Sequence, residues 1–106
     1  MADNMKFEMK RGDTLPALTV DLVDSEGEYY DLENIDTVVF RLYDRNLVLL
    51  FEKAAVAVSS HTVRYDWSGN DTDLEPGIYY GEFEIQTTDG KSLTVPNNGW
   101  IEVQIR

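Results

Sequence analysis

The feature that most constrains this chain is a regular alternation of side chains between Leu74 and Ile85, after the turn signal Pro76-Gly77. Proline fixes φ near about −65° and glycine tolerates positive φ, so the pair ends one segment and starts another. Beyond it, one face carries Tyr79, Phe83 and Ile85, with Gly81 between them, and the other carries Tyr80, Glu82 and Glu84. A period of two residues predicts a β-strand with one buried face.

The same period recurs along most of the sequence. It predicts strands near residues 6–10, 17–23, 37–43, 62–67, 91–95 and 100–106. Asp89-Gly90 is a hairpin signal between two such segments, and residues 96–99 predict a bulge or bend. No helical period of useful length occurs, so the predicted fold class is all-β, an antiparallel sandwich of about seven to eight strands.

The residues around Tyr79 indicate a particular type of β-sandwich. A leucine (Leu74), a turn (Pro76 and Gly77) and a tyrosine entering an alternating strand resemble the tyrosine corner of immunoglobulin-like sandwiches. We therefore expect the Tyr79 ring to point inward and its hydroxyl to bond to the backbone a few residues upstream. With 106 residues, the chain has the length of a single domain, assigned to 1–106.

One segment breaks the alternation. Five consecutive apolar residues place large side chains on both faces of an extended strand. Either both faces are covered within the domain, or one is covered by another molecule. This segment is the candidate interface: Leu47, Val48, Leu49, Leu50 and Phe51.

The charge distribution limits the partners. Nine basic and twenty acidic residues give a net charge of −11. Seven acids and no base lie between Asp21 and Asp36, and six acids and no base lie between Asp66 and Glu84. Such a surface repels phosphate groups, which argues against direct binding to nucleic acid or to an anionic membrane. The acids are interpreted as a solvated face, with a basic protein partner as the alternative.

Candidate chemistry is sparse. The sequence contains no cysteine, and its single histidine, His61, lies in a predicted turn. A zinc site or a serine-type catalytic centre needs further ligands or a base beside a nucleophile. We therefore predict a protein that is not an enzyme and that has no catalytic residues, no metal site and no cofactor.

Two short patterns resemble known binding motifs. Asp71, Asp73 and Glu75 superficially resemble a calcium loop, but Pro76 stands where such a loop needs glycine. Turn chemistry explains the spacing of these acids equally well. Likewise, Arg11-Gly12-Asp13 is interpreted as a turn rather than as an integrin-binding motif.

A family resemblance adds a functional expectation. The segments that carry it are Arg11-Gly12-Asp13-Thr14, Val63-Arg64-Tyr65-Asp66-Trp67, Asp71-Thr72, residues 76–84, Asp89-Gly90-Lys91 and residues 94–100. In order and spacing they resemble a family of small tailed-phage domains, similar to the N-terminal immunoglobulin-like domain of phage baseplate upper proteins. The chain stops at Arg106, where the long baseplate proteins continue, so host attachment by this chain alone is not implied.

The resemblance implies a structural protein located in the virion. Its expected place is the tail, baseplate or head–tail region, as an adaptor or decoration component. The expected partners are other virion proteins, contacted by multiple copies in a symmetric assembly. The alternative is a carbohydrate-binding module in which Trp67, Trp100 and tyrosines stack on sugars, which needs several aromatic rings exposed on one face.

Overall fold

The computed structural model describes residues 5–24, 26–96 and 98–106. Within them the chain forms nine strands. They are β1 (Met5–Met9), β2 (Leu18–Asp21), β3 (Ile35–Tyr43), β4 (Leu49–Ala54), β5 (Val56–Ser59), β6 (Thr62–Tyr65), β7 (Gly77–Thr87), β8 (Ser92–Val95) and β9 (Ile101–Ile105). These residues include no helix of the length and apolar character needed to cross a membrane.

The strands form a β-sandwich of two sheets. The larger sheet has the order β1-β9-β7-β3-β4, with β8 also paired to β7, and the smaller has the order β2-β6-β5. All pairs are antiparallel except β1 with β9, where Met5 lies beside Ile101 and Met9 beside Ile105. The predicted all-β sandwich is confirmed, and this one parallel pair makes the larger sheet mixed, because two segments far apart in sequence meet at this edge and no tight hairpin joins them.

β8 and β9 lie end to end along one side of β7. Val95 pairs with Phe83, and Ile101 pairs with Gly81. The predicted interruption between them is present, since Pro96, Asn98 and Gly99 lie outside the strands; Asn97 is outside the described residues. Two short strands, β8 and β9, therefore pair with the same side of the long strand β7.

The core consists of the inward positions of both sheets. In each of the predicted strands 17–23, 37–43 and 62–67, one face consists entirely of buried apolar residues, which confirms the alternation there. These residues are Leu18, Val20, Leu22, Val38, Phe40, Leu42, Val63, Tyr65 and Trp67. Phe40 lies at the centre, with ring centroids 4.7 Å from Tyr65 and 5.0 Å from Phe83.

Gly81 explains how Phe40 fits beneath β7. A Cβ atom at Gly81 would lie 2.9 Å from two atoms of the Phe40 ring, closer than carbon atoms tolerate. Gly81 is itself buried in the middle of β7. Its lack of a side chain therefore makes space for the central aromatic ring.

The number of strands exceeds the predicted seven to eight, because the segment 49–59 is divided at Ala55. The Ala55 N–H donates to the Val38 carbonyl oxygen at 2.8 Å. Before this point the chain is the edge of the larger sheet, and after it the chain is the edge of the smaller sheet. One continuous segment therefore closes one side of the sandwich.

The start of β7 has the geometry of a tyrosine corner. The Tyr79 hydroxyl donates to the Glu75 carbonyl oxygen at 2.7 Å, four residues upstream. The ring is half-buried and packs against the core, and Pro76 and Gly77 form the chain immediately before it. The bond ties the loop before β7 to the strand itself.

Candidate interaction surface

The connection between β3 and β4 is built around Asp44. Its carboxylate accepts the backbone N–H groups of Asn46 at 2.8 Å and Val48 at 3.0 Å. The Leu47 N–H donates to the Asp44 carbonyl oxygen at 2.9 Å, and Leu47 has a φ of 62°, an unusual value for leucine. This turn holds the Leu47 and Val48 side chains in solvent.

A β-bulge follows directly. Tyr43 pairs with Leu49 and Leu42 pairs with Phe51, so Leu50 is the extra residue between them. Phe51 turns inward, with its ring 6.1 Å from that of Phe40. Of the five candidate interface residues, Phe51 is thus partly buried in the core, whereas the other four remain exposed.

Two further exposed residues follow on β5, Val56 and Val58. The candidate interface predicted from the sequence ended at Phe51 and did not include them. Their spacing of two residues was the available signal. We call the six exposed residues the apolar edge; their exposed fractions range from 40% to 57%, and they are Leu47, Val48, Leu49, Leu50, Val56 and Val58.

The apolar edge lies on two strands with free outer sides and on the turn that precedes the first of them. β4 ends the larger sheet and β5 ends the smaller one, and no other described strand pairs with their outer sides. Free strand edges present backbone N–H and C=O groups that can pair with another chain, and proteins usually protect them with charges or bulges. Here the bulge at Leu50 and the charged pair Glu52 and Lys53 provide part of that protection.

Arg41 organises the outer face beside this edge. Its guanidinium donates to Glu52 at 3.0 Å, to Glu82 at 3.4 Å and to Glu84. The hydrogen bonds that Arg41 donates to Glu84 and Glu52 raise the pKa of Arg41, and the bond to Glu84 lowers the pKa of that carboxyl group. The Tyr43 hydroxyl also donates to Glu82, at 3.1 Å. The cluster links β3, β4 and β7 across the sheet surface.

Asp71 links the loop after β6 to β4 and to β6 itself. It is buried and accepts hydrogen bonds from the Tyr65 hydroxyl, the Lys53 ammonium group and the Ser68 N–H, the last at 2.9 Å. Burial acts to raise the pKa of Asp71, but these donors outweigh it and hold the pKa below its usual value. Burial and the bond to Asp71 raise the pKa of Tyr65.

Two of the three carboxylates that resemble a calcium loop, those of Asp71 and Asp73, have other partners. Asp71 links β4 and β6, and Asp73 forms an ion pair with Arg11 at 2.9 Å. Among residues 5–24, 26–96 and 98–106, no group of three or more His, Cys, Asp or Glu side chains is arranged to hold a metal ion. Arg11 and Gly12 are in turn fixed through their backbone N–H groups, which donate to Arg106 and Thr72.

The aromatic residues considered for sugar stacking occupy two different places. Trp67 is buried in the core beside Phe40, with ring centroids 5.5 Å apart, so it cannot stack on a ligand. Trp100 is half-buried on the outer face of the larger sheet, against Tyr43 at 5.3 Å and Tyr80 at 6.2 Å. These rings are inclined by 64° and 53°, so they pack against one another rather than forming a flat platform.

Comparisons with known proteins bear on the fold. No protein-family model matches the chain, and no curated protein matches it. Among solved structures, CopC from Methylosinus trichosporium OB3b is similar, with a TM-score of 0.56 and 13% sequence identity over 96% of this chain and 84% of that chain. At this identity the similarity shows the all-β sandwich fold alone.

Proposed function

We propose that this chain is a structural protein of a tailed-phage virion, an immunoglobulin-like adaptor or decoration component of the tail, baseplate or head–tail region. It acts through protein–protein contacts and works in multiple copies. The sequence motifs from Arg11 to Trp100 motivate the phage context, and the apolar edge is the observation that carries the contact role.

The physical argument for a contact is the exposure of the apolar edge. Single exposed apolar residues are ordinary, but a run along two free strand edges marks an interaction site. Leu47, Val48, Leu49 and Leu50 are consecutive in the chain and at least 40% exposed. Burying two such side chains contributes about 3–6 kcal/mol before the costs of association.

The same edge suits a protein partner better than a small ligand. Its side chains are exposed beside a free strand, whereas small-molecule sites are concave and enclose most of their ligand. A partner that adds a strand to β4 would gain backbone hydrogen bonds in addition to apolar contacts. Many contacts of this kind, repeated around a ring, can stabilise a particle even when each one is weak.

The experiment is footprinting by hydroxyl radicals on purified particles from the source of this sequence. We expect mass spectrometry to find the chain in the particles, and we expect oxidation of Leu47, Leu49 and Leu50 to fall several-fold relative to the isolated chain. Leu15, which is 77% exposed and belongs to neither β4 nor β5, is the control for general shielding. Absence of the chain from the particles, or equal oxidation of the edge in both samples, would contradict the proposal.

The carbohydrate-binding alternative is separated by a second measurement. With Trp67 in the core, a sugar site would depend on Trp100 with Tyr43 and Tyr80. Trp100 would then report binding through its fluorescence. We expect no saturable change when soluble glycans are titrated into the isolated chain, and a saturable change that is lost in Trp100→Phe would favour the alternative.

A further inference from the structure

A concave site lies at a different part of the molecule. A cavity of about 440 Å³ is enclosed between residues 30–34 and the β7–β8 hairpin. Its floor is apolar, since Ile85 is fully buried and Leu32 and Leu93 are partly buried against the core. This volume lies within the range of about 300–1,000 Å³ that is typical of ligand pockets. The cavity is therefore large enough to accept large side chains of another molecule.

The cavity reaches the outer edge of β8. From β7 it is lined by the alternate residues Ile85 and Thr87, which share one face of that strand. From the hairpin it is lined by the consecutive residues Lys91, Ser92 and Leu93. Successive residues of a strand point to opposite faces, so a cavity that contacts both Ser92 and Leu93 opens at the side of β8.

That side of β8 has free backbone groups. β8 pairs with β7, and no other strand of the described residues pairs with its opposite side. The Thr87 N–H donates to the Lys91 carbonyl oxygen at 2.9 Å. In an antiparallel pair, this bond determines which residues of β8 direct their backbone groups towards β7. Leu93 and Val95 therefore bond to β7, while the N–H and C=O groups of Ser92 and Thr94 point away from it. An extended peptide can pair with such groups as an added strand.

The rim of the cavity is acidic. Asp31, Glu33 and Asp89 line it together with a single base, Lys91. Asp31 and Glu33 belong to the segment of seven acids and no base, in a chain with a net charge of −11. A second copy of this chain would bring further negative charge to the rim, whereas a basic segment would be attracted to it.

We propose that the outer side of β8 and the adjacent cavity form a binding site for an extended basic peptide segment of a partner protein. The segment pairs with Ser92 and Thr94, inserts an aliphatic side chain above Ile85 and Leu93, and places lysine or arginine side chains beside Asp31 and Glu33. This site is distinct from the apolar edge and does not depend on the proposed virion function.

The first test uses a defined probe, the synthetic peptide amide Lys-Val-Lys-Ile-Lys-Val-Lys, measured by isothermal titration calorimetry with the full chain. We expect saturable binding that weakens as salt is added, because charge attraction contributes to it. Two matched peptides serve as controls: one with glutamate in place of each lysine, and one N-methylated at alternate amides. Both should bind at least about tenfold more weakly, since the first reverses the charge and the second cannot pair with β8.

The second test shows whether the carboxylates of Asp31 and Glu33 attract the peptide. In the double variant Asp31→Asn with Glu33→Gln, we expect the affinity to fall about tenfold, together with its dependence on salt. The control is Glu26→Gln with Glu75→Gln, which makes the same change in net charge at exposed positions outside the cavity lining. The control should stay within about twofold of the original chain. Equal losses in both double variants would overturn the proposal, because the attraction would then be general.

The third test concerns the strand edge. Thr94→Pro removes the outward N–H of β8, whereas Thr94→Val keeps it, so the proline variant should bind much more weakly than the valine variant. If the proline variant does not fold, the N-methylated peptide tests the same hydrogen bonds. When the lysine peptide is added to the full chain, the changes in amide chemical shift measured by NMR should centre on Ser92 and Leu93. Changes centred on Leu49, no saturable binding of the lysine peptide, or self-association that Thr94→Pro abolishes would each overturn the proposal.

Discussion

β3 and β4 are neighbours in one sheet, but their apolar side chains differ in burial. In β3, Val38, Phe40 and Leu42 are all buried. In β4, Leu49 and Leu50 remain at least 40% exposed, and Phe51 alone of the three apolar residues at its start packs against the core. The strands differ in position: β3 pairs with β4 and β7, whereas β4 pairs with β3 and forms the edge. Both strands have apolar side chains that can be buried. The position of each strand in the sheet therefore decides how many of these side chains are buried.

The largest expected effect tests the β3 side of this comparison. Phe40→Ala removes the ring at the centre of the aromatic cluster and leaves a cavity beneath Gly81. We expect the free energy of unfolding to fall by about 3–5 kcal/mol, measured by urea denaturation. A loss under about 1 kcal/mol would show that the core can collapse around the deletion and that Phe40 is not the centre of the packing.

A smaller effect is expected where β4 contacts the interior through Lys53. Asp71→Asn keeps the shape of the side chain but removes the charge that accepts bonds from Lys53 and Tyr65. We expect a loss of about 1–3 kcal/mol at neutral pH, towards the lower end because Lys53 is partly exposed and solvent screens the pair. Asp71→Ala should cost at least as much.

The pH dependence of that loss follows from the lowered pKa of Asp71. Its stabilising contribution is present above the usual aspartate pKa of about 4 and disappears as the pH falls through the folded-state pKa. The difference in unfolding free energy between the original chain and Asp71→Asn should therefore shrink as the solution is acidified below about pH 4. A difference that stays constant between pH 7 and pH 2 would mean that the Asp71 charge does not contribute.

The start of β7 allows a matched pair of variants. Tyr79→Phe removes the hydroxyl that bonds to the Glu75 carbonyl, and because this bond is open to solvent we expect a loss of about 1 kcal/mol. Tyr80→Phe alters the opposite face of the same strand and should change stability by less than about 0.5 kcal/mol. Thermal unfolding of the two variants decides the matter: an equal or larger loss at Tyr80 would place the strand register one residue out.

The smallest effect on stability is expected at the apolar edge itself. Leu49→Thr and Val58→Thr keep strand-forming residues but reduce the apolar surface on β4 and β5. We expect each to change the unfolding free energy by less than about 0.5 kcal/mol, although binding to a partner at this edge should weaken. A loss comparable to that of Phe40→Ala would mean that these side chains are packed in the isolated chain.

The sequence was informative where a strand has one buried and one exposed face. The alternation of residues 17–23, 37–43 and 62–67 predicted Leu22, Phe40 and Tyr65 as core residues, and all three are buried. Short turn signals were equally informative, as in the Asp89-Gly90 hairpin, where Gly90 has a φ of 87°. Both signals come from residues that are close together in the chain, so they can be recognised in a single sequence.

Features that depend on distant segments were beyond this reasoning. The parallel pairing of β1 with β9, the crossing at Ala55 and the partners of Asp71 each join residues that no short pattern relates. The exposure of Val56 and Val58 depends in the same way on which strand lies at the edge. The cavity above Ile85 requires the loop 30–34 to lie against the β7–β8 hairpin, and this contact has no signature in either segment.

The parallel pairing of β1 with β9 has a mechanical consequence. Met5 lies beside Ile101 and Met9 beside Ile105, so the two strands run in the same direction. A pulling force between Met5 and Ile105 would act along the strands in opposite directions and load their hydrogen bonds in shear. All bonds of the pair would then resist together, instead of opening one after another as in a zipper. We expect the domain to bear tension best along this axis, with a rupture force set by the rate of unfolding rather than by equilibrium stability.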